Sequence, residues 1–201
     1  MSRLDQILAA NREFMRRLPD EFVHPDCAPV AKTPSRGLAV FTCMDTRLVD
    51  FLEPAMGIRR GEAKVIKNAG NSVTGPFEAT IRSLVVAVFE LGVEEVMVIG
   101  HKDCGLSNTT AEGLKAKMLA RGISPDALHM VEDELESWVD RFHHPCENVQ
   151  EVVLRIRTNP LIPKDVPVHG LMFDPHTGEI EILVNGYEAV AQYKETSVIS
   201  E

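Results

Sequence analysis

No stretch of this 201-residue chain is both long and apolar enough to cross a bilayer. Its longest apolar runs, Leu84 to Phe89 and Val96 to Gly100, fall well short of the roughly 20 residues that a spanning helix needs. The opening MSRLDQILAANREFMRRL carries charges throughout and lacks the apolar centre of a secretory signal, so a cytoplasmic location is expected. Basic residues are in deficit, 21 Lys and Arg against 30 Asp and Glu, for a formal net charge of -9. That balance argues against nucleic acid or an anionic membrane as partner, since both are held by clustered cations. Cysteine is scarce as well. Cys27, Cys43, Cys104 and Cys146 are too few for a disulfide scaffold at this length, and a reducing compartment keeps them as thiols or metal thiolates.

What is present reads as an ordinary globular chain, with 44% hydrophobic and 25% charged residues excluding wholesale disorder. The length implies one domain over 1–201, divided into an N-terminal helix and arm over 1–35 and an α/β body over 36–201. Leu4, Ile7, Leu8, Phe14, Met15 and Leu18 recur at helical spacing before Pro19, giving an amphipathic first helix. The runs LAVFTC (38–43), AKVIKNAGN (63–71) and EVMVIGH (95–101) read as short buried strands. They alternate with helix-compatible segments: MDTRLVDFLEPAMG after the first, 76–91 after the second and CGLSNTTAEGLKAKMLAR after the third. Such alternation implies crossovers and a parallel sheet flanked by helices. Further helices are expected over 125–141 and from Asn148 to Arg157. The last two strands, VHGLMFD and EIEILVN, flank the turn PHTGE, so that pair is antiparallel and the sheet is mostly parallel with one reversed edge strand. Phe77, Leu84, Val85 and Val88 read as packing residues, and Trp138 as a contact with the body. The acids around Glu132 to Glu136 read as a solvated face.

Ligands of open parallel sheets gather beyond the carboxyl ends of the strands. Cys43 ends the first strand, and GHKDCG puts His101 and Cys104 at the end of the third. Two thiolates and an imidazole form a three-ligand zinc set of the kind that leaves a fourth position open in catalytic sites. Sulfur and nitrogen donors suit zinc rather than magnesium or calcium. Alone, either cysteine is more simply a small buried hydrophobe, but the three residues together at two strand ends favour the metal. Asp45 and Arg47 follow Cys43 as C-x-D-x-R. Away from a metal they read as a helix N-cap or a surface ion pair. Beside one, Asp45 can accept a hydrogen bond from metal-bound hydroxide while Arg47 keeps the carboxylate ionised and oriented. With that pair broken, Asp45 could swing onto the fourth position.

CMDTR at 43–47, KNAGN at 67–71 and HKDCG at 101–105 together resemble the three signature segments of the β-class carbonic anhydrases, in order and spacing. The likeness runs from about Leu38 to Asn185. It implies a zinc enzyme with one ion per chain, interconverting carbon dioxide and bicarbonate through zinc-bound hydroxide. By the family pattern Cys43, His101 and Cys104 are the ligands, and Asp45 with Arg47 is the gating and orienting dyad. The resemblance also implies a homodimer or larger homo-oligomer. The Asn68–Asn71 turn would border the active site, with Gly70 supplying backbone freedom.

Two departures stand out. The second segment begins with Lys67 where the family usually has Arg, and Lys cannot copy a bidentate guanidinium contact. Val40, Phe41 and Thr42 precede Cys43 where members inhibited by bicarbonate resemble one another in a Trp. The inhibitory site is therefore expected to be absent, and the fourth position open to water. The same zinc chemistry would serve a hydrolase of carbonyl sulfide or carbon disulfide, and a non-catalytic zinc protein is a further alternative. A redox role is weak because no C-x-x-C motif occurs. H-x-x-C recurs at His24/Cys27 and His143/Cys146, which could close a second, structural zinc site, though exposed loop residues are the simpler reading.

Overall fold

A computed structural model describes residues 1–18, 31–140, 142 and 144–198. The chain divides into two compact units, Met1–Lys32 and Thr33–Glu201. The first contains α1 (Arg3–Arg16). A capping box starts it: Asp5 N–H donates to Ser2 Oγ at 3.2 Å and Ser2 N–H to Asp5 Oδ2 at 2.9 Å, with Arg16 favourably placed in the last turn. Much of the arm expected between the first helix and residue 35 lies outside the described residues.

The second unit is built on β1 (Leu38–Cys43), β2 (Ala63–Asn68), β3 (Glu95–His101), β4 (Val168–Phe173) and β5 (Ile180–Val184). They form one sheet in the order β2-β1-β3-β4-β5, parallel except for the antiparallel β4–β5 pair, as the turn PHTGE implied. Every residue of β1 is buried, which explains why it reads as a continuous apolar run. Its side chains alternate between two cores: Ala39 and Phe41 join Ile81, Leu84, Val98 and Ile156, whereas Leu38 and Val40 join Leu48, Leu52, Ile99 and Phe173. Thr42, also buried, satisfies its hydroxyl by donating to the Ile99 carbonyl at 2.9 Å.

The helices are α2 (Leu52–Ala55), α3 (Ala79–Phe89), α4 (Ala111–Ala120), α5 (Pro125–His129), α6 (Glu132–Val139), α7 (Pro145–Thr158) and α8 (Gly186–Val198). Helix α7 lies against β3 so closely that a Cβ on Gly100 would sit 2.5 Å from Val149 Cγ2. Four expectations need correction. The segment after β1 is a 3-10 turn (Thr46–Leu48) followed by α2, because Asp50 adopts a left-handed φ of 55° and breaks the run. The helix expected over 125–141 is two, separated at Met130 and Val131; Val131 takes φ -124° and ψ 10°, and beyond it Leu135 and Val139 pack with Ala111 of α4. Phe77 precedes α3 with its ring exposed and Arg82 stacked 5.9 Å from its centroid, while Leu84 is buried as expected. The acidic face of α6 is partly engaged, with Lys115 donating to Glu132 at 2.7 Å and Glu136 at 2.8 Å.

Candidate metal centre

The order β2-β1-β3 makes the chain leave β1 to one side and return on the other, and ligand crevices open at such a reversal. In register, Cys43 stands beside Asn68 at the end of β2, and His101 beside Phe173 at the end of β4. Cys104 follows β3 after a turn in which Asp103 adopts φ 53°. The two sulfurs and a ring nitrogen of His101 all lie within 4.8 Å of one another and are buried. Cys43 Sγ and Cys104 Sγ are 4.0 Å apart, close to the about 3.8 Å that tetrahedral zinc with bonds of about 2.3 Å would impose.

His101 Nδ1 lies 3.0 Å from the Lys102 carbonyl, the contact of an Nδ1–H donor, which leaves Nε2 as the free lone pair. That Nε2 is buried and has no hydrogen-bond partner. A buried nitrogen left bare beside two sulfurs fits a metal ligand, and the S, S, N set fits zinc.

Backbone amides surround the sulfurs. The Cys43 thiol is pushed down to about 4 by the hydrogen bond from Cys104, helped by His101 and by the N–H groups of Gly70 and Asp45. Cys104 is pushed up because it gives its hydrogen to Cys43 and is itself buried, while the Leu106 N–H pulls the other way. Burial works against a charged His101, but the Cys43 thiolate, the Lys102 carbonyl and the Asp45 carboxylate together outweigh it and shift the ring upward. A cation between these donors would favour deprotonation of both thiols.

Gly70 must be glycine twice over. Its φ is 70°, and a Cβ there would press on Leu106 Cδ2 and lie 3.0 Å from Phe142 Cε2. The turn carrying it is braced from three directions. The Asn68 side chain donates to the Ser72 carbonyl at 2.8 Å, Trp138 Nε1 to Ser72 Oγ at 2.9 Å, and Asn148 to the Gly70 carbonyl at 3.1 Å. Trp138 thus contacts the body through a hydrogen bond.

Asp45 caps the Thr46–Leu48 turn, accepting the Arg47 N–H on Oδ1 at 2.9 Å, and pairs with the same residue's guanidinium. Arg47 Nε donates to Oδ1 at 3.0 Å and Nη2 to Oδ2 at 2.9 Å. The cap and the ion pair, alternatives on sequence grounds, are made by one carboxylate. The guanidinium holds the Asp45 carboxyl down at about 2, so it is ionised at neutral pH. Its Oδ2 lies 3.7 Å from His101 Nε2, facing the donor cluster.

These segments coincide with a known pattern: the carbonic anhydrase family profile matches residues 38–180. The chain belongs to the carbonic anhydrase family, β class. A β-carbonic anhydrase 1 of Mycobacterium tuberculosis is 34% identical over 154 residues, covering 76% of this chain and 85% of that protein. The crystal structure of β-carbonic anhydrase isoform I from Trichomonas vaginalis superposes with a TM-score of 0.87 at 41% identity, covering 93% of this chain and all of the other. A carbon disulfide hydrolase of Acidithiobacillus thiooxidans is 32% identical over 157 residues, covering 73% of this chain and 76% of that protein.

The structure also locates the residues outside the signatures. Lys67 pairs with Glu53 at 3.0 Å. Cys146 is exposed in the first turn of α7, not in a loop, while His24, Cys27 and His143 lie outside the described residues. Among the described residues, no helix is long and apolar enough to span a membrane. A groove of about 1020 Å³ beside Asn68 and Ala69, walled by Trp138, Phe142 and Arg155, includes none of the three donors. The buried donors mark the chemistry elsewhere. The amides of Gly70, Asp45 and Leu106 escape sequence reading because a backbone N–H has no residue signature.

Proposed function

We propose that this chain is a zinc-dependent carbonic anhydrase, with one ion held by Cys43, His101 and Cys104. The reading is carried by the bare, buried Nε2 of His101 beside the two sulfurs. Zinc, when bound, supplies Lewis acidity that lowers the pKa of a coordinated water to about 7. The protein's own groups orient that chemistry. Asp45 is an acceptor only, because its carboxyl is held ionised by Arg47. It therefore accepts an O–H of the attacking water and leaves an oxygen lone pair for the carbon of carbon dioxide. Arg47 occupies both carboxylate oxygens and so keeps Asp45 at the edge of the site. The balance is water plus carbon dioxide giving bicarbonate and one proton, which passes to buffer.

The Asp45–Arg47 pair supports a fourth position open to water, and the Lys67–Glu53 pair supports the absence of an inhibitory bicarbonate site. Crystals of the zinc form grown above and below pH 8 test the open position; Asp45 on the metal in both overturns it. A cytoplasmic single-domain enzyme, active as a homodimer or larger homo-oligomer, completes the reading, and sedimentation equilibrium tests the assembly.

Stopped-flow hydration of carbon dioxide by zinc-loaded protein, beside hydrolysis of carbonyl sulfide and carbon disulfide, tests the activity. Turnover of carbon dioxide well above buffer is expected. Cys104→Ser retaining both zinc and full activity would sink the assignment. The similarity to a carbon disulfide hydrolase supports the second reading, a hydrolase using the same donors, which wins if only the sulfur substrates turn over.

A further inference from the structure

Arg47 is gripped from two sides. One edge of its guanidinium carries Asp45. Toward the other, Nη1 donates to Asp103 Oδ2 at 3.0 Å and Nη2 donates to the Asp103 carbonyl at 2.7 Å. Asp103 thus offers both a side-chain and a main-chain acceptor to one guanidinium, from a backbone at φ 53°. Its loop is itself tied down: the Lys102 N–H donates to the Phe173 carbonyl at 2.9 Å, and the Lys102 ammonium to Asp174 Oδ2 at 3.1 Å. The last residues of β1 and β3 and the loop after β3 carry the three candidate metal donors. Arg47, in the turn after β1, is the bridge to that loop.

We propose that Asp103 is a positioning residue: by holding the far side of the Arg47 guanidinium, it keeps Asp45 docked on Arg47 and away from the fourth metal position. This rests on the reading of Cys43, His101 and Cys104 as zinc ligands. A fixed guanidinium offers Asp45 a pre-organised bidentate partner. A loose one shares its hydrogen bonds with water, and the carboxylate, already facing the donors, gains time on the metal. The Asp103 side chain is 71% exposed, so the effect is modest, and we expect changes of about three- to tenfold.

The test uses Asp103→Gly and Asp103→Asn in the full chain, loaded with zinc or cobalt(II). Both replacements tolerate the left-handed backbone. Asn keeps an acceptor for Nη1, whereas Gly removes it. Azide binding to the cobalt form, followed by visible absorption, reads access to the fourth position. Removing a negative charge by itself would tighten an anion, so weaker binding identifies competition by Asp45. Asp103→Gly should bind azide about three- to tenfold more weakly and lower kcat/KM in parallel, with metal content unchanged. Asp103→Asn should stay within about twofold of the wild type. In an Asp45→Ala background, Asp103→Gly should no longer weaken azide binding, because the competitor is gone and only the lost charge remains. Azide binding by Asp103→Gly equal to wild type, or a loss that persists without Asp45, overturns the proposal. If Asp103→Gly does not fold, Asp103→Ala must show the same pattern or the proposal fails. Wild-type protein that takes up no stoichiometric zinc or cobalt overturns the ligand reading itself, which separates the two failures.

Discussion

Asp45 and Arg47 face each other through two parallel hydrogen bonds, Nε to Oδ1 at 3.0 Å and Nη2 to Oδ2 at 2.9 Å. Only one residue separates them, so the pair is a local product of the turn that ends β1, which sets it at the rim of the donor cluster. Asp45→Asn keeps the size of the side chain but replaces the carboxylate with an amide that can donate as well as accept. It loses the charged bidentate pair and the acceptor-only character that orients water. Zinc content should stay at one per chain while kcat/KM for hydration falls at least about tenfold. Metal analysis and stopped-flow assay on one preparation check this, and unchanged kcat/KM removes Asp45 from the mechanism.

Metal removal should cost stability as well as activity. The donors come from two separate strand ends, so a preformed site exists only in the folded chain. Free zinc at 100 times its Kd then adds about 2.7 kcal/mol, less any affinity of the unfolded thiols. For a chain of this size that corresponds to a Tm lower by about 5–10 °C after chelation. Calorimetry of zinc-loaded and chelator-treated protein measures it. Equal Tm values would mean that no metal occupies the folded site.

Gly70→Ala should damage the site without touching a proposed ligand. The new methyl group presses on Leu106 Cδ2 and the Phe142 ring and must sit on a left-handed backbone at φ 70°, so a loss of about 1–3 kcal/mol is expected. The Gly70 N–H that holds the Cys43 sulfur moves with it. Urea unfolding should show the loss, and zinc affinity in a chelator competition should weaken in the same variant. A variant with unaltered zinc affinity would detach this amide from the thiolate's environment.

β1, β3 and β4 were legible because they are largely buried and largely apolar in sequence, whereas β2, also read as a buried strand, is only partly covered. The candidate donors were legible because Cys43 and the H-x-x-C pair end two of those strands. Helix ends were harder to read where one backbone angle decides them. Asp50 at φ 55° splits the segment after β1, and nothing in its residue type announces that. The break at Val131 is hidden for a similar reason, since the periodicity of 125–141 continues across it. Phe77 was misplaced because an apolar residue next to a helix reads as core, yet its ring is stacked by Arg82 at the surface. Helix α8 went unseen: GYEAVAQYKETSV carries little apolar stripe to mark it. What attaches α8 to the sheet is polar, and it has a measurable consequence.

His169 on β4 accepts the Gly186 N–H on Nδ1 at 3.1 Å, at the start of α8. Its Nε2 lies 3.1 Å from Glu95 Oε1, and the neighbouring Tyr187 donates to Glu95 Oε2 at 2.7 Å while its ring meets the imidazole edge to face at 4.7 Å. An acceptor at Nδ1 requires the neutral ring. Burial lowers the affinity of His169 for a proton, and the charge of Glu95 only partly opposes this, so the folded-state pKa lies below the ordinary 6.5. The unfolded chain therefore binds more protons than the folded one as pH falls through 6.5. Stability from this group is complete above that value and is lost as pH falls from it towards the folded-state pKa, with a slope no steeper than about 1.4 kcal/mol per pH unit. His169→Asn keeps an acceptor for Gly186 but has no proton to gain. Urea unfolding at pH 7.5 and 5.5 should show wild type losing more stability between the two than His169→Asn, whatever the variant's absolute stability. Equal losses would show that His169 takes up its proton as readily in the folded protein as in the unfolded chain.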